Sequence, residues 1–243
     1  MEIAGEQIAF RPFFPVFHYK QIPEEMTQTD DYRIEYRESD GKPVGETEFH
    51  VMALVHLYQS LKHFFRNHPD VCTIADMLLY YEKGNTRAFK VPDVMVIKGV
   101  DKYPRRIFKL WEEKAVPCVI FEITSKSTVA EDIAKSLLYA SLGVREYVLF
   151  DPMREYIEDG LLGYRLDGMT YRPIAQDEEG NLFSKELGLI LKQEGHLLRL
   201  YDPDTGRPVP SLDEAVLKAE DESRKATRLA AKLREMGIDP ESL

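Results

Sequence analysis

The sequence contains little cysteine and no long apolar segment. Its 243 residues include two cysteines, Cys72 and Cys118, and both lie in apolar runs that are typical of strands. This number and placement exclude a disulfide framework and predict buried thiols in a reducing compartment. No apolar run approaches the ~18 residues of a membrane-spanning helix. The opening residues, MEIAGEQIAF, have no basic leader. We therefore expect a cytoplasmic protein with neither a membrane span nor a signal peptide.

Positive charge is also scarce. There are 32 Lys and Arg residues against 42 Asp and Glu residues, which leaves a formal net charge of −10 at pH 7. This balance argues against a protein that coats nucleic acid tightly, because such binding depends on basic side chains that neutralise phosphates. It does not exclude an enzyme whose acidic site acts on nucleic acid through metal ions. The hydrophobic content of 44% is sufficient for a globular core.

The histidines lack the spacing of a zinc site. Apolar residues recur at helical spacing over residues 47–66, and this predicted helix and its end carry His50, His56, His63 and His68. No two of them stand four residues apart around a glutamate, which is the arrangement of helical zinc sites. Lone histidines on a helix are usually solvated or hydrogen bonded. We therefore do not expect these side chains to bind a metal ion.

The stretch of residues 118–151 organises the rest of the chain. Its sequence, CVIFEITSKSTVAEDIAKSLLYASLGVREYVLFD, predicts a strand over 118–124, a helix that ends before Gly143, and a buried strand over 147–150. A strand–helix–strand unit places its two strands in parallel. In the first strand Glu122 interrupts an apolar run. Since burial of an unpaired carboxylate is costly, Glu122 needs a cation, a hydrogen-bond donor or water.

The helix in this unit carries a polar stripe at spacings of four, three and four residues: Thr128, Asp132, Lys135 and Tyr139. Such a stripe is commonly a solvated face with a local Asp132–Lys135 ion pair. A second acidic residue upstream favours a functional site instead. Asp93 follows Pro92, which cannot donate to a strand ladder, so Asp93 should lie at a strand end.

Asp93 and Glu122 therefore lie on neighbouring predicted strands, with Lys135 on the helix that follows. Two carboxylates at strand ends can hold Mg²⁺ or Mn²⁺, because hard cations prefer oxygen ligands. A nearby lysine can orient or help to deprotonate a water molecule. Glu46 or Glu48 at the start of the first helix could complete the pocket. This combination of residues suits hydrolysis of a phosphodiester.

The remaining segments predict further elements around this unit. Residues 71–81 and 88–98 read as two strands of a hairpin, and residues 101–117 form a basic, aromatic connection that either contacts phosphate or is an ordinary charged loop. Short apolar runs after residue 151 predict an antiparallel meander. We predict an N-terminal arm over 1–31, a domain over 32–207, and a helical appendage over 208–243. The appendage contains a helix over 211–236, a candidate surface for a homodimer.

The sequence resembles the Uma2 family of endonucleases, within the PD-(D/E)XK restriction-endonuclease-like superfamily. The resemblance covers roughly residues 30–205 and rests on VPDVMVI, FEITSKST, the polar stripe of the following helix, and GVREYVLFDP. It implies an α/β fold, with a mixed sheet flanked by helices, a β-rich C-terminal meander and a terminal helix. It also implies cleavage of nucleic acid, by preference DNA, with Asp93 and Glu122 as metal-binding acids and Glu48 as an acid from the first helix.

The sequence departs from the superfamily pattern at two positions. The usual Glu-x-Lys motif would place lysine at position 124, where this chain has Thr124. The family's usual answer is a lysine on the following helix, which matches Lys135. Members often carry proline where this chain has Lys126, so Lys126 competes with Lys135 for the role of the catalytic lysine. We favour Lys135, because a helix holds a side chain in a fixed geometry.

The sequence predicts a Mg²⁺-dependent endonuclease. The alternative is a catalytically weak protein that binds nucleic acid or regulates and that keeps the nuclease scaffold. A purely structural dimer built on the final helix is a third reading. The pair of acids discriminates among them, because a binding module does not need Asp93 and Glu122 together.

Overall fold

The computed structural model describes residues 35–37, 47–124, 129–237 and 239–240. The predicted arm over 1–31 lies outside the described residues, as does Glu46. Residues 125–128, which include Lys126 and Thr128, also lie outside them. The short piece over 35–37 has no regular secondary structure.

The described residues contain helices α1 (Glu48–Phe64), α2 (Leu110–Glu113), α3 (Val129–Leu142) and α4 (Leu212–Glu235), and a 3₁₀ turn, Phe65–Asn67, follows α1. Thr47 begins α1, because its side-chain oxygen accepts a hydrogen bond from the His50 N–H. Gly143 ends α3 with a φ of +86°, a conformation that glycine adopts without a steric penalty. The helices predicted over 47–66 and 211–236 are therefore confirmed to within two residues.

The strands are short. In chain order they are β1 (Val71–Ala75), β2 (Leu79–Tyr80), β3 (Phe89–Lys90), β4 (Val94–Lys98), β5 (Phe108–Lys109), β6 (Val119–Ile123), β7 (Glu146–Phe150), β8 (Leu161–Asp167), β9 (Thr170–Pro173), β10 (Leu182–Ser184), β11 (Leu189–Glu194) and β12 (Leu197–Tyr201). A six-stranded sheet has the order β1-β4-β6-β7-β8-β9, and β6 pairs with β7 in parallel while the other neighbours are antiparallel. The predicted parallel pair is confirmed.

Two predicted strands are each interrupted in the structure. The run over 71–81 divides into β1 and β2 at Asp76, whose φ of +47° turns the chain out of the sheet. The run over 88–98 divides into β3 and β4 around Pro92, which cannot donate to a ladder. The hairpin then exists twice, because β2 pairs with β3 and β1 pairs with β4, both antiparallel. The prediction of one long hairpin is therefore wrong, because the structure has two short antiparallel pairs instead.

The main sheet separates two apolar clusters. On one face Phe121 of β6 packs in a cluster with Leu57 and Leu61 of α1. On the other face Ile120 packs in a cluster with Tyr139 of α3 and Tyr147 of β7. Successive residues of a strand point to opposite faces, so Glu122 shares the α3 face with Ile120. Helices therefore cover both faces of β6.

The C-terminal strands divide between two sheets. The strands β8 and β9 extend the main sheet, whereas β10, β11 and β12 form a three-stranded antiparallel sheet that shares the apolar cluster of α1. The helix α4 begins at Ser211 with a capping box to Glu214. This arrangement confirms the predicted α/β class, with a mixed sheet, C-terminal strands and a terminal helix. The domain boundaries at 31/32 and 207/208 stay predictions.

None of the helices in the described residues is both long and apolar enough to cross a membrane.

Candidate functional site

Asp93 and Glu122 lie at the same end of the main sheet. Asp93 directly precedes β4, and the register of β4 on β6 pairs Val94 with Phe121. One further step in this antiparallel register brings Asp93 beside Glu122. The side chain of Asp93 also reaches β6 directly, because its Oδ2 accepts a hydrogen bond of 2.6 Å from the Ile123 N–H. The strand-end position that Pro92 predicted for Asp93 is confirmed.

Glu122 is buried, with 2% of its surface exposed, and both carboxylate oxygens have partners. The Tyr139 hydroxyl donates to Oε1 at 2.9 Å, and the Lys135 Nζ lies 3.1 Å from Oε2. Both partners come from α3, which directly follows β6 in the chain apart from the connection over 124–128. The expectation that Glu122 needs a cation or a donor is confirmed, since it has one of each.

The three described members of the polar stripe, Asp132, Lys135 and Tyr139, face the sheet and not the solvent. Asp132 is 2% exposed, and its Oδ1 accepts a hydrogen bond of 2.9 Å from Lys135. On the opposite side of α3, Ile133 and Leu137 are more than half exposed. The ion pair of Asp132 with Lys135 therefore exists, but the reading of this stripe as a solvated face is wrong. Burial of three polar groups is tolerable here because they satisfy one another around Glu122.

Electrostatics follow from this burial. Desolvation raises the pKa of Glu122 to about 8, although the Lys135 ammonium opposes the shift. Burial lowers the pKa of Lys135, but the carboxylates of Glu122 and Asp132 outweigh it, so that the pKa of Lys135 is raised overall. Burial and the neighbouring Glu122 also raise the pKa of Tyr139, which therefore keeps its proton and donates. Lys135 thus stays a cation, while Glu122 holds a proton more tightly than a surface carboxyl does.

His50 is a contact of the site that the sequence analysis missed. Its Nε2 lies 3.3 Å from Asp93 Oδ1. The residue is buried and lies in the first turn of α1. The helix therefore contributes a histidine at this point, and Glu48 is exposed. Residues two apart on a helix do not share a face, which is why Glu48 does not join the contacts that His50 makes. The spacing of the histidines could not predict this contact, because the partner of His50 is an aspartate 43 residues away in the chain.

We expect His50→Ala to weaken divalent-metal binding by about ten- to a hundredfold, because groups that orient a ligating carboxylate have effects of this size. The measurement is a Mn²⁺ titration followed by the melting temperature, with cleavage rates measured in parallel. His63→Ala serves as the control, because His63 lies on the same helix and contacts Arg66. Equal metal affinities for wild type and His50→Ala would show that the contact with Asp93 has no positioning role.

The remaining predicted residues lie elsewhere or outside the described part of the chain. Lys126 and Glu46 fall outside the described residues. Glu48 lies on the exposed surface at the start of α1, and its role as a metal ligand stays a prediction. Thr124 follows β6 and is buried, and its hydroxyl has no hydrogen-bond partner among the described residues.

In the basic connection over 101–117, Arg106 is exposed, whereas Arg105 points into the protein. Arg105 donates to the Glu113 carboxylate at 2.7 and 2.9 Å, and its side chain is 3% exposed. Two further donors reach the carbonyls of Asp101 and Tyr103. The guanidinium of Arg105 thus makes its hydrogen bonds within the protein. This favours the interpretation of the segment as an ordinary charged connection over a contact with phosphate.

The donor set fits a divalent cation that binds a small number of protein ligands. Among the described residues, no three His, Cys, Asp or Glu side chains converge as a ready-made metal cluster. Mg²⁺ is commonly held by one or two carboxylates, with water and substrate phosphates as the remaining ligands. Asp93 and Glu122 are two oxygen donors of this kind. The chemistry of the residues therefore suits Mg²⁺ or Mn²⁺ better than Zn²⁺, which prefers nitrogen and sulfur ligands.

The chain is similar to known proteins in both structure and sequence. Among solved structures, a nuclease-like chain from Anabaena variabilis ATCC 29413, titled a putative nuclease belonging to DUF820, is similar to this chain. It has a TM-score of 0.44 and 13% sequence identity, over 58% of this chain and 75% of that one. No curated protein matches the chain significantly. The profile of the Uma2 family, described as "Putative restriction endonuclease", matches residues 18–196. The chain therefore belongs to the Uma2 family, which is of restriction-endonuclease type.

Proposed function

We propose that the protein is a metal-dependent endonuclease that hydrolyses phosphodiester bonds of DNA. The observation that carries this proposal is the buried carboxylate of Glu122, held by Lys135 and Tyr139 beside Asp93 at one end of the sheet. Burying a carboxylate and a lysine together has a substantial desolvation cost, and hydrophobic residues would stabilise the fold as well or better. The presence of such a costly cluster therefore favours a functional role over a purely structural one.

The residues divide into ligands, a lysine that acts on water, and groups that hold them. Asp93 and Glu122 are the side chains that would hold Mg²⁺ or Mn²⁺. When bound, such an ion polarises a phosphoryl oxygen and makes a coordinated water a better nucleophile. Lys135 is placed to orient that water and, as a cation, to favour the loss of its proton. Asp132 and Tyr139 restrict the positions of Lys135 and Glu122 through the hydrogen bonds described above, and catalytic groups work best when so held.

The acidic charge of the chain is compatible with a DNA substrate. With a net charge of −10, binding to DNA in the absence of metal should be weak and strongly dependent on salt. A divalent ion on Asp93 and Glu122 reduces the local repulsion of phosphate. Tight binding without metal at physiological salt would instead favour the alternative, a binding or regulatory protein on a nuclease scaffold.

The test of the proposed function is a cleavage assay on single- and double-stranded DNA and on RNA. Each form is incubated with Mg²⁺, with Mn²⁺, and with a chelator. We expect cleavage of DNA with either metal and none with the chelator. Cleavage of RNA but not of DNA would contradict the proposed substrate. Cleavage in the presence of the chelator would contradict the proposed dependence on metal.

Metal binding should stabilise the protein and should depend on pH. A ligand of the native state at a hundred times its dissociation constant adds about 2.7 kcal/mol to the free energy of unfolding. The pKa of Glu122 is raised to about 8, so protons compete with the metal below this pH. We expect Mn²⁺ affinity to rise by up to roughly tenfold per pH unit up to that value and then to level off.

The measurement is the Mn²⁺-induced rise in melting temperature at a series of pH values. Glu122→Gln is the matched variant, because glutamine has the same size, does not titrate and lacks the charge that would hold the metal. We expect its Mn²⁺-induced rise to be smaller and to lose the pH dependence. A wild-type pH profile that survives unchanged in Glu122→Gln would assign the proton competition to another group.

A further inference from the structure

The helix α4 is long and packs little against the rest of the described residues. It spans 24 residues, all of which the structure describes, and none of them is buried. At about 1.5 Å per residue it is about 36 Å long. Its large apolar side chains stand in solvent: Val216 is 47% exposed, Leu212 50%, and Leu217 and Leu229 63% each. In proteins most helical stability comes from the packing of one face, so a helix of this kind lacks its usual support.

One face of α4 carries an apolar seam with alternating spacings of four and three residues. The seam consists of Leu212, Val216, Ala219, Ser223, Ala226, Ala230 and Leu233. Spacing of this kind is the pattern by which one helix packs along another. The larger side chains lie at the two ends and the small ones in the middle. This distribution is symmetric about the centre of the helix, which suits a partner that runs in the opposite direction.

The charges of α4 are divided between its halves. Residues 212–223 contain five acidic side chains and one basic side chain, whereas residues 224–235 contain five basic side chains and one acidic side chain. The helix dipole favours acids in the first turn and bases in the last turn only. It therefore does not account for the charges in the middle. There Asp221 forms ion pairs within the helix with Arg224 and Lys225, but such pairs do not require the acids and bases to lie in separate halves.

We propose that α4 binds α4 of a second copy of this chain as an antiparallel helix pair. An antiparallel pair places the acidic half of each helix along the basic half of the other. A parallel pair would place like charges together over the whole length, which is unfavourable. In the register that keeps the seams in contact, Ala219 lies opposite Ala230, Val216 opposite Leu233, and Ser223 opposite Ala226. This inference is independent of the proposed nuclease activity.

Charge reversal tests the pairing on the full-length chain. Lys225→Glu with Lys232→Glu leaves the basic half of α4 with three basic and three acidic side chains, and Glu220→Lys with Glu222→Lys does the same to the acidic half. Each variant on its own therefore loses the attraction between opposite halves. Glu and Lys have similar helix propensity, so that the helix should persist in each variant, as circular dichroism can verify. We expect wild type to dimerise in sedimentation equilibrium and each double variant alone to dimerise at least about tenfold more weakly. An equimolar mixture of the two variants should recover the dimer in part, because the unchanged acidic half of one variant then lies along the unchanged basic half of the other.

Disulfide trapping tests the direction of the pairing. Ala219→Cys and Ala230→Cys are single variants at seam positions that the proposed register places opposite each other. Oxidation of their mixture should give the mixed cross-linked dimer, whereas each variant alone should cross-link poorly. Wild type is the control, because its own cysteines, Cys72 and Cys118, are buried. Efficient cross-linking of each variant with itself would overturn the antiparallel arrangement.

The proposal as a whole fails in two cases. A wild-type chain that stays monomeric at every accessible concentration would assign the seam of α4 to a different protein or to no partner. A dimer whose stability is the same in wild type and in both charge-reversed variants would place the interface away from α4.

Discussion

Replacement of Glu122 by Gln should abolish cleavage while leaving the fold in place. We expect the rate to fall by at least about a thousandfold, or roughly 4 kcal/mol of transition-state stabilisation. The reason is that glutamine keeps the size of the side chain and the hydrogen bond from Tyr139 but loses the negative charge that would hold the metal. Lys135 keeps Asp132 as an ion-pair partner at 2.9 Å, so its charge is not left alone. Asp93→Asn should have an effect of the same order.

The measurement is single-turnover cleavage at saturating enzyme and metal, with the melting temperature recorded for each variant. Glu146→Gln is a matched control, because Glu146 is also a fully buried carboxylate, at the start of β7. It is held by Arg165 and Ser184 at the junction of β7, β8 and β10, and it takes no part in the contacts of Glu122. We expect Glu146→Gln to lower stability and to retain cleavage per folded molecule. If Glu122→Gln and Asp93→Asn both cut at the wild-type rate, the activity resides in another part of the protein.

Lys135→Met should reduce the chemical step on the order of a hundredfold or more, the usual contribution of a positioned acid or base. Methionine retains the length of the side chain but cannot orient a water molecule or carry a proton. The loss should appear in the rate at saturating enzyme, since the cause is chemical and not a change in affinity. Lys126→Met is the comparison, and we expect it to act mainly on the affinity for DNA.

Stability needs a separate control for Lys135, because its removal leaves Glu122 and Asp132 buried without a cation. Removing one partner of a buried ion pair is commonly destabilising by about 3–5 kcal/mol. Lys135→Arg keeps the charge and serves as the second variant. It should restore the melting temperature to a large extent but restore cleavage only in part, since the planar guanidinium places its charge and donors differently from an ammonium. Loss of the chemical step in Lys126→Met, with Lys135→Met fully active, would reverse the assignment of the lysine.

Local sequence was enough to predict the elements that carry the site. The apolar run around Glu122, the helix that ends at Gly143 and the strand at 146–150 are all present, because alternation, helical spacing and a helix-stopping glycine act over few residues. Pro92 likewise placed Asp93 at the end of β4. The need of Glu122 for a partner followed from the cost of burying a carboxylate, and the structure meets it with Lys135 and Tyr139.

Two features of the fold depended on contacts that local patterns do not contain. The division of the run 71–81 at Asp76 follows from a left-handed residue that periodicity alone does not reveal. The partition of the C-terminal strands between two sheets depends on which strand is free to pair with β8. Because hydrogen bonding between strands is set by the whole sheet, a series of hairpins in the sequence does not specify the number of sheets.

The site itself shows the same division between sequence and tertiary structure. The sequence alone determined which residues form the polar stripe of α3 and that Asp132 and Lys135 are close enough to pair. Only the tertiary structure decided that the stripe faces the sheet, because the buried carboxylate of Glu122 makes the polar side of α3 the better side to bury. It also decided that His50 and not Glu48 reaches Asp93. That choice depends on how α1 is rotated against the sheet, which the apolar contacts of Leu57 and Leu61 determine.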